Sequence, residues 1–154
     1  MQKKWWKILG ALLVAYSTVA GFLLDVPHLN VLNETIRNLY FHVPMWFSMI
    51  VLFSISVFYS VKYLSSTNET DDLKAVEAIN TGIIFSILGL VTGAVWAKFT
   101  WGQFWSSDPK QNFAAISTLL YFVYLILRNA IDEEQKRAKI SAIYNIFAFP
   151  MMIS

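Results

Sequence analysis

Five apolar stretches, at roughly 5–24, 43–64, 77–97, 112–131 and 139–154, restrict this chain more than any other feature. About 20 mostly apolar residues in a helix rising 1.5 Å each are needed to cross some 30 Å of hydrocarbon. Inside lipid a segment must satisfy its own backbone hydrogen bonds, and none of these runs alternates as a strand would, so each predicts a helix. The last run is shorter and ends with the chain, as a short span or one cut off before completion. Residue content agrees: 56% is hydrophobic and only 14% charged, against about 45–50% and about 25% in soluble domains. The expected fold is all-α, a single polytopic helical membrane bundle over 1–154 with about five spans.

The N-terminus, MQKKWWKILGALLVAYSTVAGFLL, has the basic start and apolar run of a signal peptide. Its length, the lack of a clean small-x-small site before Asp25 and the apolar runs that follow predict a retained first helix instead. Placing the N-terminus in the cytoplasm puts Lys3, Lys4, Lys7, Lys62, Lys74, Arg128, Lys136, Arg137 and Lys139 inside. Only Arg37, Lys98 and Lys110 then lie outside. That bias follows the positive-inside rule and puts 25–42 and 98–111 on one extracytoplasmic side. The net charge of +2, with scattered basic residues, gives no footprint for nucleic acid. The chain has no cysteine, which excludes disulfides, zinc–thiolate sites, thiolate catalysis and thioether-linked haem on it. No span carries an acid or base deep in its interior, so an intramembrane enzyme is not indicated.

In the third run, Gly82, Gly89 and Gly93, the last two as GLVTG, predict close approach of another helix. The NET triplets at 33–35 and 68–70 match a glycosylation sequon too short to carry weight.

The two outer segments hold the residues with ligand chemistry. In ETIRNLYFHVPMWF, His42 precedes Pro44, which is tolerated in a helix's first turn, so His42 is expected at or just before the start of the second span. A neutral imidazole there can ligate iron through one nitrogen while a neighbour orients the other, or can simply bond to backbone. His28, beside Pro27 and Asn30, reads as a plain loop residue. In TWGQFWSSDPKQN, Trp101 and Trp105 share one face if the segment is helical. They serve either as interfacial anchors, as Trp5 and Trp6 do at the other side, or as a platform for a flat ligand. Arg37, Lys98 or Lys110 can meet acidic groups of such a ligand. Asp108, Pro109 and Gln111 have the order of a capping box opening the fourth span.

ETIRNLYFHVPMWFSM taken with GAVWAKFTWGQFWSSDPKQN resembles the haem-handling WWD-domain membrane proteins of cytochrome c maturation, nearest to the haem exporter protein C group. The resemblance covers roughly 9–150. WGQFWSSDP stands for the family's Trp-rich extracytoplasmic loop and HVP at 42–44 for the preceding histidine. It implies haem b, bound transiently and edge-on to that loop at the outer face of the bacterial inner membrane. His42 would be an axial iron ligand and Trp101 and Trp105 the platform. Trp46, Gly102 and Asp108 would complete the site, and Arg37 or Lys110 would meet the propionates. It further implies delivery to a haem chaperone alongside ABC-type transporter subunits, with no catalysis by this chain. Ser106 and Ser107 stand where the family often has another aromatic. The family's second ligating histidine follows a fifth span, and no histidine follows His42 here. The alternatives are a fragment, a natural truncation, or His28 in place of the second histidine, and the expectation favoured is a chain incomplete at its C-terminus. The competing reading is a scaffold or transporter subunit that binds no haem and whose tryptophans only anchor the bundle.

Overall fold

The computed structural model describes residues 4–153. Lys3, part of the charge bias, and Ser154, the end of the fifth run, lie outside the described residues. The architecture is all-helical: α1 (Trp5–Leu23), a 3-10 helix (Asn33–Asn38), α2 (Leu39–Ser66), α3 (Glu69–Trp101), α4 (Pro109–Asn129) and α5 (Glu134–Ile153). Four of these units are long and apolar enough to cross a membrane: α1, the 3-10 helix together with α2, α3 and α4. The fifth, α5, carries Glu134, Lys136, Arg137 and Lys139 in its first turns, which leaves its uncharged part shorter than a full span. Large apolar side chains such as Phe99, Ile126 and Phe147 are exposed around the bundle, as expected where the surrounding solvent is lipid. The protein is an integral membrane protein.

Helices α2 and α3 form an antiparallel hairpin that organises the rest. Thr67 ends α2 in the left-handed region (φ 54°). Asn68 opens α3 by accepting a hydrogen bond from the Thr70 backbone N–H at 3.0 Å, which gives the second NET triplet a capping role. This two-residue turn fixes the register. A Cβ on Gly82 would meet the Phe53 ring at 2.6 Å, one on Gly89 the Trp46 indole at 3.4 Å, and one on Gly93 the His42 ring at 2.8 Å. The residue numbers in each pair add to the same total, and so do those of Thr67 and Asn68. The glycines thus admit side chains of the facing helix, as the small-xxx-small step predicts.

In the middle of the bundle the Phe53 and Tyr121 rings stack at 3.7 Å between centroids with a 1° interplanar angle. Met49, Ile79, Ile83 and Tyr124 close round them. Polar contacts fasten the helices. Asn145 Nδ2 donates to Ser56 Oγ at 2.9 Å and to Ser60 Oγ at 3.0 Å, and Ser117 Oγ donates to the Met151 carbonyl at 3.0 Å. Contacts of this kind contribute about 0.6 kcal/mol each within a membrane bundle. Beyond them, Arg128 grips Asp72 with two nitrogens at 2.9 and 2.5 Å, and Lys62 pairs with Asp71 at 3.0 Å.

Helix α1 docks only near its C-terminal end. Gly21 is its single buried residue, against Phe41, and Phe22 meets Phe41 at 4.8 Å.

Candidate functional site

Two sequence expectations about helix limits shift, each with consequences for the site. The second helix starts at Leu39, directly continuing the 3-10 turns, so His42 lies inside its first turn and Pro44 two residues further in. Pro44 has no N–H to give the Tyr40 carbonyl four residues back. The third helix runs on to Trp101, so Lys98 and Trp101 stand on the same helix as Trp96 and not in a loop. Gly102, at φ 83°, then ends it in the left-handed conformation that glycine adopts at no steric cost. That reversal is why Trp101 and Trp105 do not share a helical face. Lys98 Nζ donates to the Gly102 carbonyl at 2.9 Å and so caps the helix end instead of reaching for a ligand.

Between this end of the α2–α3 hairpin and the start of α4 lies a cleft of about 610 Å³, within the range of about 300–1,000 Å³ typical of small-molecule sites. His42 and Trp46 line it from α2, Trp96 and Trp101 from α3, and Asp108 and Lys110 from the opening of α4. Its lining is mainly apolar. The polar groups come from His42 and from the segment 106–111. The imidazole lies edge-on to two indoles, 6.1 Å from Trp46 at 69° and 5.8 Å from Trp96 at 74°. Its Nδ1 is 3.0 Å from the hydroxyl of Thr92. The indole Nε1 of Trp96 is buried with no hydrogen-bond partner among the described residues. Such an unpaired buried donor is costly, and Asp71 Oδ2, Tyr121 Oη and Ser141 Oγ share that state elsewhere in the bundle.

The N-cap expected at Asp108 is present: its carboxylate accepts from the Lys110 N–H at 2.7 Å. The other half of the capping box moves back by two residues. Gln111 accepts from the Ser106 N–H at 3.1 Å and donates to the Phe104 carbonyl at 2.9 Å, which braces the connection between α3 and α4. Sequence order alone brings His42, Trp46, Trp101, Asp108 and Lys110 into view, and the fold brings these five together. It does not bring Trp105, Gly102 or Arg37 to the cleft. Trp105 donates its indole N–H to Asn112 Oδ1 at 3.0 Å and is not among the lining residues. Gly102 serves as the helix cap. Arg37 is committed elsewhere: Nε pairs with Glu34 at 2.7 Å, and Nη1 donates to the carbonyls of Gly21 and Leu24 at the end of α1. Of the three cations offered as partners for acidic groups, Lys110 is the one on the cleft. Residues missing from the sequence-derived site are Trp96, Gly93, Thr92 and Gln111. The glycine pattern signalled Gly93, and counting outward from a turn at 67–68 would have set it opposite His42.

The heme exporter protein C family model matches residues 1–151. The chain belongs to that family. Similar proteins include the cytochrome c biogenesis protein CcsA of Prochlorococcus marinus, 41% identical over 83 residues, which are 54% of this chain and 26% of that protein. CcsA of Synechococcus sp. is 37% identical over 53% of this chain and 27% of its own length. CcsA of Pelargonium hortorum is 33% identical over 60% of this chain and 29% of its own. The matched part therefore spans between a quarter and a third of these relatives.

The cleft residues fit the group the family's name implies. Imidazole is a standard haem iron ligand. Indoles offer wide apolar faces to a flat macrocycle. Lys110 supplies a cation for a carboxylate. Gly93 leaves the imidazole seated where any Cβ would displace it.

Proposed function

We propose that this cleft binds haem b transiently and that the chain delivers haem in cytochrome c maturation. One juxtaposition carries the reading: His42, Trp101 and Lys110, distant in sequence, line a single cleft. Haem is cargo here and this chain's task is binding and presentation, not catalysis. His42 ligates the iron, Trp46 and Trp101 lie against the macrocycle, and Lys110 meets a propionate. The charge bias of the loops supports an extracytoplasmic site in the bacterial inner membrane, with a haem chaperone as receiver and ABC-type transporter subunits alongside. Family membership and the cytochrome c biogenesis names of the relatives support the pathway.

Visible spectroscopy tests the reading. Purified protein supplied with haem should show a Soret band, and His42→Ala should lose most of it at unchanged membrane insertion. Equal haem content in both proteins rejects His42 as a ligand. A second reading is favoured by one observation: Trp105, exposed and off the cleft, sits as an interfacial anchor does. If no haem binds at all, that anchoring role extends to the whole Trp cluster and the chain is a scaffold.

A further inference from the structure

An imidazole can present either nitrogen, and which one is free depends on what holds the other. Around His42 that question has a geometric answer. Thr92 Oγ1 lies 3.0 Å from His42 Nδ1, and also 2.8 Å from the Leu88 carbonyl and 3.1 Å from the Gly89 carbonyl. Carbonyl oxygens only accept, so the single hydroxyl proton of Thr92 points back along its own helix. Its lone pairs are then what face His42, and the proton of that contact belongs to Nδ1.

The arrangement is held from both sides. Asn38 Nδ2 donates to the Thr92 carbonyl at 2.9 Å, tying the start of α2 to this turn of α3. Gly93, the next residue, lets the ring come against the backbone: an added Cβ would sit 2.8 Å from Cε1 and only 3.4 Å from Nδ1. No rotation of the ring about its attachment is free of cost under these contacts and between the two indoles.

We propose that Thr92 is a positioning residue that keeps His42 as the Nδ1–H tautomer and leaves Nε2 as the one nitrogen able to ligate iron. The proposal rests on the haem reading for its purpose, but not for its test. Hydrogen bonding of the ring nitrogen that does not ligate the metal also raises ligand basicity, and loss of such partners typically weakens metal binding about 10- to 100-fold.

Two histidines make the decisive measurement tractable. Protein labelled with 15N-histidine is examined by NMR without haem, with His28→Gln to assign the signals. The expected result is a neutral His42 with protonated Nδ1 and bare Nε2. In Thr92→Val the two tautomers should mix, and Thr92→Ser, which keeps the hydroxyl, should restore the original pattern. An Nε2–H ring in the unmodified protein overturns the proposal without any variant, as does a Thr92→Val ring unchanged from the parent. With haem added, Thr92→Val should bind about tenfold more weakly than the parent and show a more positive reduction potential, with Thr92→Ser near the parent in both. Parental affinity and potential in Thr92→Val overturn it too. If the parent takes up no haem, the haem reading fails while the tautomer result still decides the role of Thr92.

Discussion

The two ends of the α2–α3 hairpin are built from the same helices in the same register, yet they differ in kind. At the end near the turn, charges are matched inside the bundle. Asp72 and Arg128, each with side chains only 12% exposed, form a two-pronged pair, and Lys62 neutralises the buried Asp71. Serines and Asn145 close the space beside them. At the opposite end, His42, Trp46, Trp96 and Trp101 line an open, mainly apolar cleft with no ion pair among its described lining residues. Pairing of buried polar groups gives stability. Glycine serves both ends: Gly82 lets Phe53 fill the core, and Gly93 lets His42 settle under the cleft.

The hardest blow to this contrast comes at the closed end. Arg128→Ala leaves Asp72 buried without its partner, and breaking a buried pair costs about 3–5 kcal/mol. A thermal melt in detergent should fall well below that of the parent, and a melt that stays within a degree would show that the pair is not holding the bundle. Next, one substitution made at the two ends separates packing from binding. Gly82→Ala pushes a Cβ into the Phe53 ring and should destabilise by about 1–3 kcal/mol in the same assay. Gly93→Ala meets a side chain at the edge of a cleft, so the melt should move less while haem retention drops. Matching losses of stability with intact haem retention in both would erase the difference between the ends. The smallest change concerns the turn itself. Thr67 is β-branched at a positive φ, and Thr67→Gly should relieve up to about 1 kcal/mol, seen as a slightly raised melting temperature. A lowered one would mean that this turn is not strained.

Much of the scaffold was legible because apolar run length and backbone self-satisfaction leave few choices in lipid. The four spans, the Asp108 cap and the glycine approach all follow from local pattern. What local pattern does not contain is which of several side chains face one another. Arg37, Lys98 and Lys110 look alike in sequence. They diverge because Arg37 meets the carbonyls ending α1 and Lys98 the carbonyl of Gly102, which leaves Lys110 at the cleft. Trp105 was misplaced for a related reason: four-residue spacing means a shared face only while the helix continues, and Gly102 stops it. The fifth run, 139–154, forms most of α5, whose helix begins earlier in the charged segment from Glu134 and is not among the four helices long and apolar enough to cross a membrane.

Helix α3 runs unbroken through 33 residues, roughly 50 Å at 1.5 Å per residue. One of its extremities is clamped by Asp71 and Asp72, and the other carries Trp96 and Trp101. A rod of that length is a lever: pivoting it by roughly 5° about the clamped tip sweeps the far tip through roughly 4 Å, about the thickness of an aromatic ring. The carboxylates at its foot and the indoles at its head therefore belong to one continuous member, so anything that disturbs the first is felt at the second.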